Sequence, residues 1–291
     1  MAASNARAVL PQNAGATVGN TIQQTEHKTE KRTIAIKKAK AAGEKILKSG
    51  IVTWLLLLLI WQIASLFHSP DFLPGPAKTL QGFLEVAKSG VLWADIKISL
   101  QRVGIGWARG ILIAVPLGLL IGAFKPFRWI FEPFINFFRF VPAIGFLTLF
   151  LMWFGVGEAS KTVLITYASI FPIIINTIAA VAAIDPVKYQ AAESLGANKL
   201  QSFLTVTVPG AVPGIFTGLR LGLSGAIISI VAAEMLAANS GIGYLVYTSR
   251  LYYRTDWIFV GIVVLGLIGF FADKLLRFLA KILLRHYGVK E

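Results

Sequence analysis

Residues 210–238 read GAVPGIFTGLRLGLSGAIISIVAAEMLAA, a run of 29 residues with two charges, Arg220 and Glu234. A helix needs roughly 20 apolar residues to cross the hydrocarbon core of a bilayer, and this run exceeds that. Five more apolar runs lie around it: Ile51–Phe67, Val103–Phe124, Trp129–Phe154, Thr162–Ala183 and Trp257–Leu284. Beyond Ala272 the last run turns amphipathic and is expected to leave the bilayer along its surface. The spacing predicts an all-α membrane protein with about six transmembrane helices.

Composition agrees. Hydrophobic residues make up 56% of the 291, charged residues only 14%, and mean hydropathy is +0.70. A soluble domain carries nearer 25% charged residues. The net charge of +14 does not point to nucleic acid, because the basic residues cluster in the first 50 positions and at the ends of apolar runs. There they follow the positive-inside rule. With the N-terminus inside, the inner segments carry 18 Lys/Arg and the outer segments seven, which predicts a multi-pass membrane protein with both termini in the cytoplasm. Zero Cys excludes disulfides and Cys-based metal sites, and His27, His68 and His286 form no ligand pattern. About fifty polar residues precede the first apolar run, so no cleaved signal is expected.

The expected organisation is a basic, largely disordered cytoplasmic arm over 1–50, a transmembrane domain over 51–285 and a short cytoplasmic tail over 286–291. The arm suits contact with anionic membrane lipid or simple solvation. Pro116, Pro133, Pro142, Pro172 and Pro213 fall inside the spans, where each removes a backbone donor and bends the helix. Glycines recur four apart at 106/110, 118/122 and 214/218/222, which lets helix backbones approach closely in lipid.

Polar groups inside spans are costly, at roughly 2.5–3.5 kcal/mol for a charge near the centre, so they face protein or water. Glu132, Asn136 and Arg139 share one helical face by their spacing. Thr166, Ser169 and Asn176 form a second stripe, and Thr217, Arg220 and Ser224 a third. Together with Glu234 they either line a hydrated path, which the two arginines would bias toward anions, or hold helices together.

The longest internal cytoplasmic loop is IDPVKYQAAESLGANKLQSFLTVTVP, 184–209. Asp185 is a capping residue, Pro186 suits a first turn, and Gly196 suits the left-handed position after a helix over Val187–Leu195. A second helix, Asn198–Val208, is expected to stop at Pro209. Ala191 and Ala192 leave the first helix nearly bare on one side. The loop is either a docking elbow or an ordered connector.

Ala191-Ala192, Gly196 and Pro209 resemble the cytoplasmic loop of permease subunits of bacterial ABC importers. That loop starts Glu-Ala-Ala, continues to a Gly and closes Ile-x-Leu-Pro. Here Gln190 replaces the Glu, Val206 the Ile and Val208 the Leu, while Glu193 stands a turn beyond Gln190. PGAVPGIFTGLRLGLSGAIISIVAAEMLAANSGIGYLV (209–246), RFVPAIGFLTLFLMWFGVGEASK (139–161) and LPGPAKTL (73–80) are similar to the branch importing taurine, alkanesulfonates, nitrate and bicarbonate. MWFGVGEASK tilts the likeness toward sulfonates, although many sulfonate members have Pro where this chain has Phe140 and Ala143.

The resemblance implies a type I importer: two permease copies, two ABC ATPase subunits beneath them, and an extracytoplasmic solute-binding protein. Lys188, Gln190, Ala191, Ala192, Glu193, Gly196 and Pro209 would then couple to the ATPase. ATP and Mg would belong to that partner, with no cofactor bound by this chain. G-x-x-x-x-G-K-[ST] does not occur, nor does the dipeptide Gly-Lys. The competing expectations are a secondary transporter titrating Glu132, Glu234 or Asp273, and a scaffold without its own path. A membrane enzyme would need a nucleophile–base pair or metal cluster that the sequence does not offer.

Overall fold

The computed structural model describes residues 50–283. The expected N-terminal arm and C-terminal tail lie outside them, apart from Gly50. The chain divides into two units, Met1–Ala64 and Ser65–Glu291. The described part of the first opens α1 (Ile51–Leu66), a Leu-rich helix of 16 residues. That is shorter than the ~20 residues a helix needs to cross a bilayer.

The second unit is helical throughout its described residues. In order it runs α2 (Pro76–Lys88), α3 (Val91–Ala123), α4 (Lys125–Phe138), a 3-10 turn (Ala143–Phe146), α5 (Leu147–Phe154), α6 (Glu158–Ala182), α7 (Pro186–Ser194), α8 (Lys199–Ser202), a π-turn (Phe203–Thr207), α9 (Val208–Ala237), α10 (Ile242–Leu251) and α11 (Thr255–Leu283). Four stretches are long and apolar enough to span: α3, α6, Lys199–Ala237 and α11. A fifth is made by α4 with the 3-10 turn and α5, if that bent pair counts as one span.

Three spans differ from the sequence expectation. The expected span Trp129–Phe154 is broken, its halves bent by 92°. Pro142 cannot donate to the helical ladder and pushes Val141 away from helical angles, so α4 ends at Phe138. The Phe138 carbonyl accepts from the Val141 N–H and, at 2.9 Å, from the hydroxyl of Tyr167 on α6, which lies 3.4 Å from the Val141 carbonyl. Phe146 and Phe150 pack with Tyr167 to fill the corner.

Helix α3 begins at Val91, twelve residues before the expected Val103, because its polar residues Asp95, Ser99 and Arg102 find buried partners. Pro209 does not end the elbow's second helix: Lys199–Ala237 runs on as one 39-residue stretch. The π-turn just before Pro209 widens the hydrogen-bond ladder, and the proline then occupies the first turn of α9, where its missing N–H costs nothing. Helix α11 runs as one helix past Ala272, where Asp273 turns toward Arg220 on α9.

Helix α6 lies between α3 and α9, and the glycine spacing explains how. A Cβ added at Gly106, Gly118 or Gly122 would sit 2.6–2.7 Å from Ile165, Thr177 or Val181 of α6. From the other side, a Cβ at Gly214 or Gly222 would sit 2.3 Å from the Ala180 Cβ or 2.7 Å from Ile173. Such distances are below any normal carbon contact, so the bare glycine stripes set the helix separation. In lipid, where apolar side chains gain little by leaving their surroundings, this close van der Waals packing is a main source of helix association. Ile173, Ile174, Ala114 and Ile121 form the buried centre of this three-helix core.

At one end of the bundle, α2, the start of α3, α10 and the start of α11 share a second core of Val86, Leu92, Ile242, Leu245, Val260 and Val264. There Arg254 bridges Glu85 at 2.6 Å and Asp256 at 2.9 Å. Hydrogen bonding from Arg254 holds the Glu85 carboxyl below its ordinary value. The loop carrying α7 and α8 lies at the opposite end, beside the C-termini of α3 and α6.

Candidate functional site

The elbow is built by local chemistry. The Asp185 carboxylate accepts from the Val187 N–H at 2.9 Å, capping α7 behind Pro186. At the other end Gly196 takes φ +81°, its N–H donates to the Glu193 carbonyl, and the Ala197 N–H donates to that of Ala192. These two bonds form the left-handed glycine cap that satisfies the last carbonyls of a helix. Asn198 and Gln201 then cap each other's backbone N–H at 2.9 and 2.8 Å to start α8. The Tyr189 hydroxyl meets Thr207 Oγ1 at 3.1 Å, tying α7 to the π-turn.

Helix α7 buries none of its side chains. Lys188, Gln190, Ala191 and Glu193 are exposed, and Ala192 and Pro209 are half-buried. Leu195, at the tip, is 89% exposed, and Val187, Leu200 and Leu204 are more than half exposed. An apolar rim around two alanines, on a short rigid helix, has the composition of a docking face rather than a solvated loop. The second half of the elbow is continuous with α9, a helix of the core.

The intramembrane polar residues separate into two groups. Glu132, Asn136 and Arg139 all remain exposed on one side of α4, and Arg139 stacks over Phe140 at 4.7 Å. Neither Glu132 nor Arg139 makes an ion pair among the described residues. Thr217 and Ser224 are exposed on α9. Between them Arg220 donates from Nε to Asp273 at 2.8 Å, and Asp273 also receives Arg277. The second group lies inside the helix packing. Ser169 is fully buried and donates to the Ile165 carbonyl, with Gly110 of α3 against it. The Asn176 amide donates to the Pro172 carbonyl one turn before it at 2.8 Å.

Glu234 is apart from both groups, enclosed with no exposed surface. Its carboxylate accepts from Arg102 Nη1 at 2.8 Å, from the Ser99 hydroxyl at 2.8 Å and from the Gly243 N–H at 2.9 Å. Arg102 donates onward to Glu158 through both Nε and Nη2, and to the Ser240 carbonyl. Asp95 accepts from the Gly241 N–H at 2.7 Å and Ser99 from that of Ile242 at 3.0 Å. Three successive N–H groups at the start of α10 are thus capped by side chains from α3 and α9. This satisfies a buried helix terminus that has no cap of its own.

Sequence reasoning missed Asp95, Ser99, Arg102 and Glu158. The signal was present: Asp95, Ser99 and Arg102 have the same i, i+4, i+7 spacing as the stripe on α4, and Ser240-Gly241-Ile242-Gly243 is a turn signature.

Comparison with known proteins agrees with this architecture. The family described as "Binding-protein-dependent transport system inner membrane component" matches residues 114–288. The taurine transport system permease protein TauC of Escherichia coli (strain K12) is 36% identical over 239 residues, covering 80% of this chain and 87% of that protein. The putative aliphatic sulfonates transport permease protein SsuC of Bacillus subtilis (strain 168) is 31% identical, covering 81% and 86%. The nitrate import permease protein NrtB of Synechocystis sp. (strain ATCC 27184 / PCC 6803 / Kazusa) is 29% identical, covering 77% and 84%. A crystal structure of an amino acid ABC transporter superposes with a TM-score of 0.54 at 20% identity, over 70% of this chain and 98% of that one, and so shares the fold. With four or five apolar spans, a glycine-packed core and an exposed elbow, the chain belongs to the inner membrane components of binding-protein-dependent transport systems, the permeases of ABC importers.

Proposed function

We propose that this chain is the translocation subunit of an ATP-driven importer for a small anion, with sulfonate- or taurine-like cargo favoured over nitrate or bicarbonate. Two copies work with two ATPase subunits, which hold ATP and Mg, and with an extracytoplasmic solute-binding protein. Both termini face the cytoplasm. The observation that carries this is the elbow's geometry: an exposed helix with an apolar rim turns at Gly196 into Lys199–Ala237, a stretch that runs unbroken into a core span. Closure of the ATPases beneath would move α7 and re-aim α9, a rigid-body switch between two packings. The names of the relatives support a small oxyanion as cargo.

In this proposal Lys188, Gln190, Ala191, Ala192, Glu193, Gly196 and Pro209 form the coupling element. Glu132, Asn136, Arg139 and Ser224 face a path between two copies, with Arg139 supplying positive potential for an anion. Arg220 borders that path with its charge offset by Asp273. Ser169, Asn176 and Glu234 shape it from behind by fixing the helices. The enclosure of Glu234 counts against a proton-coupled carrier, since a carboxylate held by three donors is a poor site for cyclic protonation.

The test is Gly196→Val. The space around Gly196 is open, so the cost is confined to the left-handed backbone, roughly 1–2 kcal/mol for a residue with a Cβ. In liposomes reconstituted with the ATPase and binding protein, uptake per ATP hydrolysed is expected to fall at least tenfold with assembly unchanged. Unchanged coupling would contradict the elbow's role.

A further inference from the structure

Between α7 and α9 the chain passes two joints: the left-handed turn at Gly196 and the π-turn Phe203–Thr207, where the hydrogen-bond ladder is widened. Insertions of this kind are where helices bend. A load on α7 carried by the backbone alone would be absorbed at these joints before it reached α9. Side chains bridge both of them. The Tyr189 hydroxyl, on α7, lies 3.1 Å from Oγ1 of Thr207, the last residue of the π-turn. Thr207 is 2% exposed, so its hydroxyl has no ready replacement in water for this partner. Ahead of α7, the buried Ile184 lies against Gly210 in the first turn of α9, where an added Cβ would sit 3.0 Å from its side chain. Helix α7 is thus pinned ahead of its start to α9 and at its middle to the π-turn, and its end is tied covalently to α8. The three ties close a triangle around both joints.

We propose that Tyr189 is a positioning residue, a strut whose bond to Thr207 makes α7 and the base of α9 move as one body. The inference rests on the reading of α7 as the element that docks on the ATPase. To that reading it adds the route of transmission, a side-chain bridge across the elbow in place of the backbone around it.

The test uses the full chain assembled with its ATPase, with Ser224→Cys, an exposed position on α9, as the chain's single thiol. Maleimide labelling is followed with and without ATP and Mg, so no transported solute is needed. Nucleotide is expected to change the rate about tenfold in this background. Tyr189→Phe keeps the ring and loses the hydroxyl, and should cut the response to about threefold. Thr207→Val should match it, and Thr207→Ser should keep the full response. Combining Tyr189→Phe with Thr207→Val should add no further loss, because both remove the same bond. Docking itself is read separately on Ala191→Cys, whose protection by the ATPase should persist in Tyr189→Phe. A full response in Tyr189→Phe, a response abolished only in the double variant, or loss of the Ala191→Cys protection overturns the strut. No nucleotide response in the Ser224→Cys background alone overturns the coupling reading, and the strut with it.

Discussion

Arg102→Ala is expected to destabilise the chain by about 3–5 kcal/mol, the range for removing one partner of a buried ion pair. Arg102 and Glu234 are 3% and 0% exposed, so the substitution strands a carboxylate in a closed site. The loss spreads because the cluster joins α3, α6, α9 and the start of α10: Glu158 loses both of its bonds from Arg102, and Ser240 loses a donor. Thermal unfolding of the purified chain in detergent should show a transition many degrees lower, or no folded fraction. Pairing the change with Glu234→Leu should restore part of the loss, because two apolar groups leave no bare charge. The recovery is expected to be incomplete, since the Gly243 N–H then lacks its acceptor. Arg102→Ala alone unfolding at the wild-type temperature would show that the cluster contributes nothing.

Gly214→Val is the second large effect. The first added carbon would meet the Ala180 Cβ at 2.3 Å and its Cα at 3.3 Å, and the latter is backbone that cannot rotate away. Relief requires α9 to move off α6 along the stripe shared with Gly218 and Gly222. Overpacking of this kind costs typically 1–3 kcal/mol and at times more, and here it acts on the most extensive helix interface of the fold. Aggregation on extraction, read by size-exclusion chromatography, is the expected outcome. Gly104→Ala, with no atom within 4 Å of the added carbon, should elute as the parent chain does. Equal profiles for the two variants would contradict close packing as the role of the stripe.

The parts of this fold that were legible in the sequence are those set by short-range chemistry. Glycines four apart announced close helix packing, though not which helices meet, and Asp185, Pro186 and Gly196 announced the elbow, since caps and left-handed turns depend on a few neighbouring residues. Long-range satisfaction was not legible. Nothing near Arg102 in sequence says that Glu158 and Glu234, 56 and 132 positions away, complete it. Pro142 marked a bend but not its 92° size, because residues on both sides are equally apolar and hydropathy carries no mark of direction. Pro209 looked like a stop because a π-turn has no residue signature of its own. Arg220 and Arg139 looked equivalent, and only the return of α11 gives one of them a carboxylate.

Whether α7 meets a motor subunit is most directly measured by thiol labelling of Ala191→Cys, an exposed position on a chain with no other thiol. Labelling by a maleimide is followed for the chain alone, then for the complex with its ATPase partner, with and without ATP and Mg. Docking predicts at least tenfold slower labelling in the complex and a further change on adding nucleotide. Equal rates in the isolated chain and the assembled complex would contradict it.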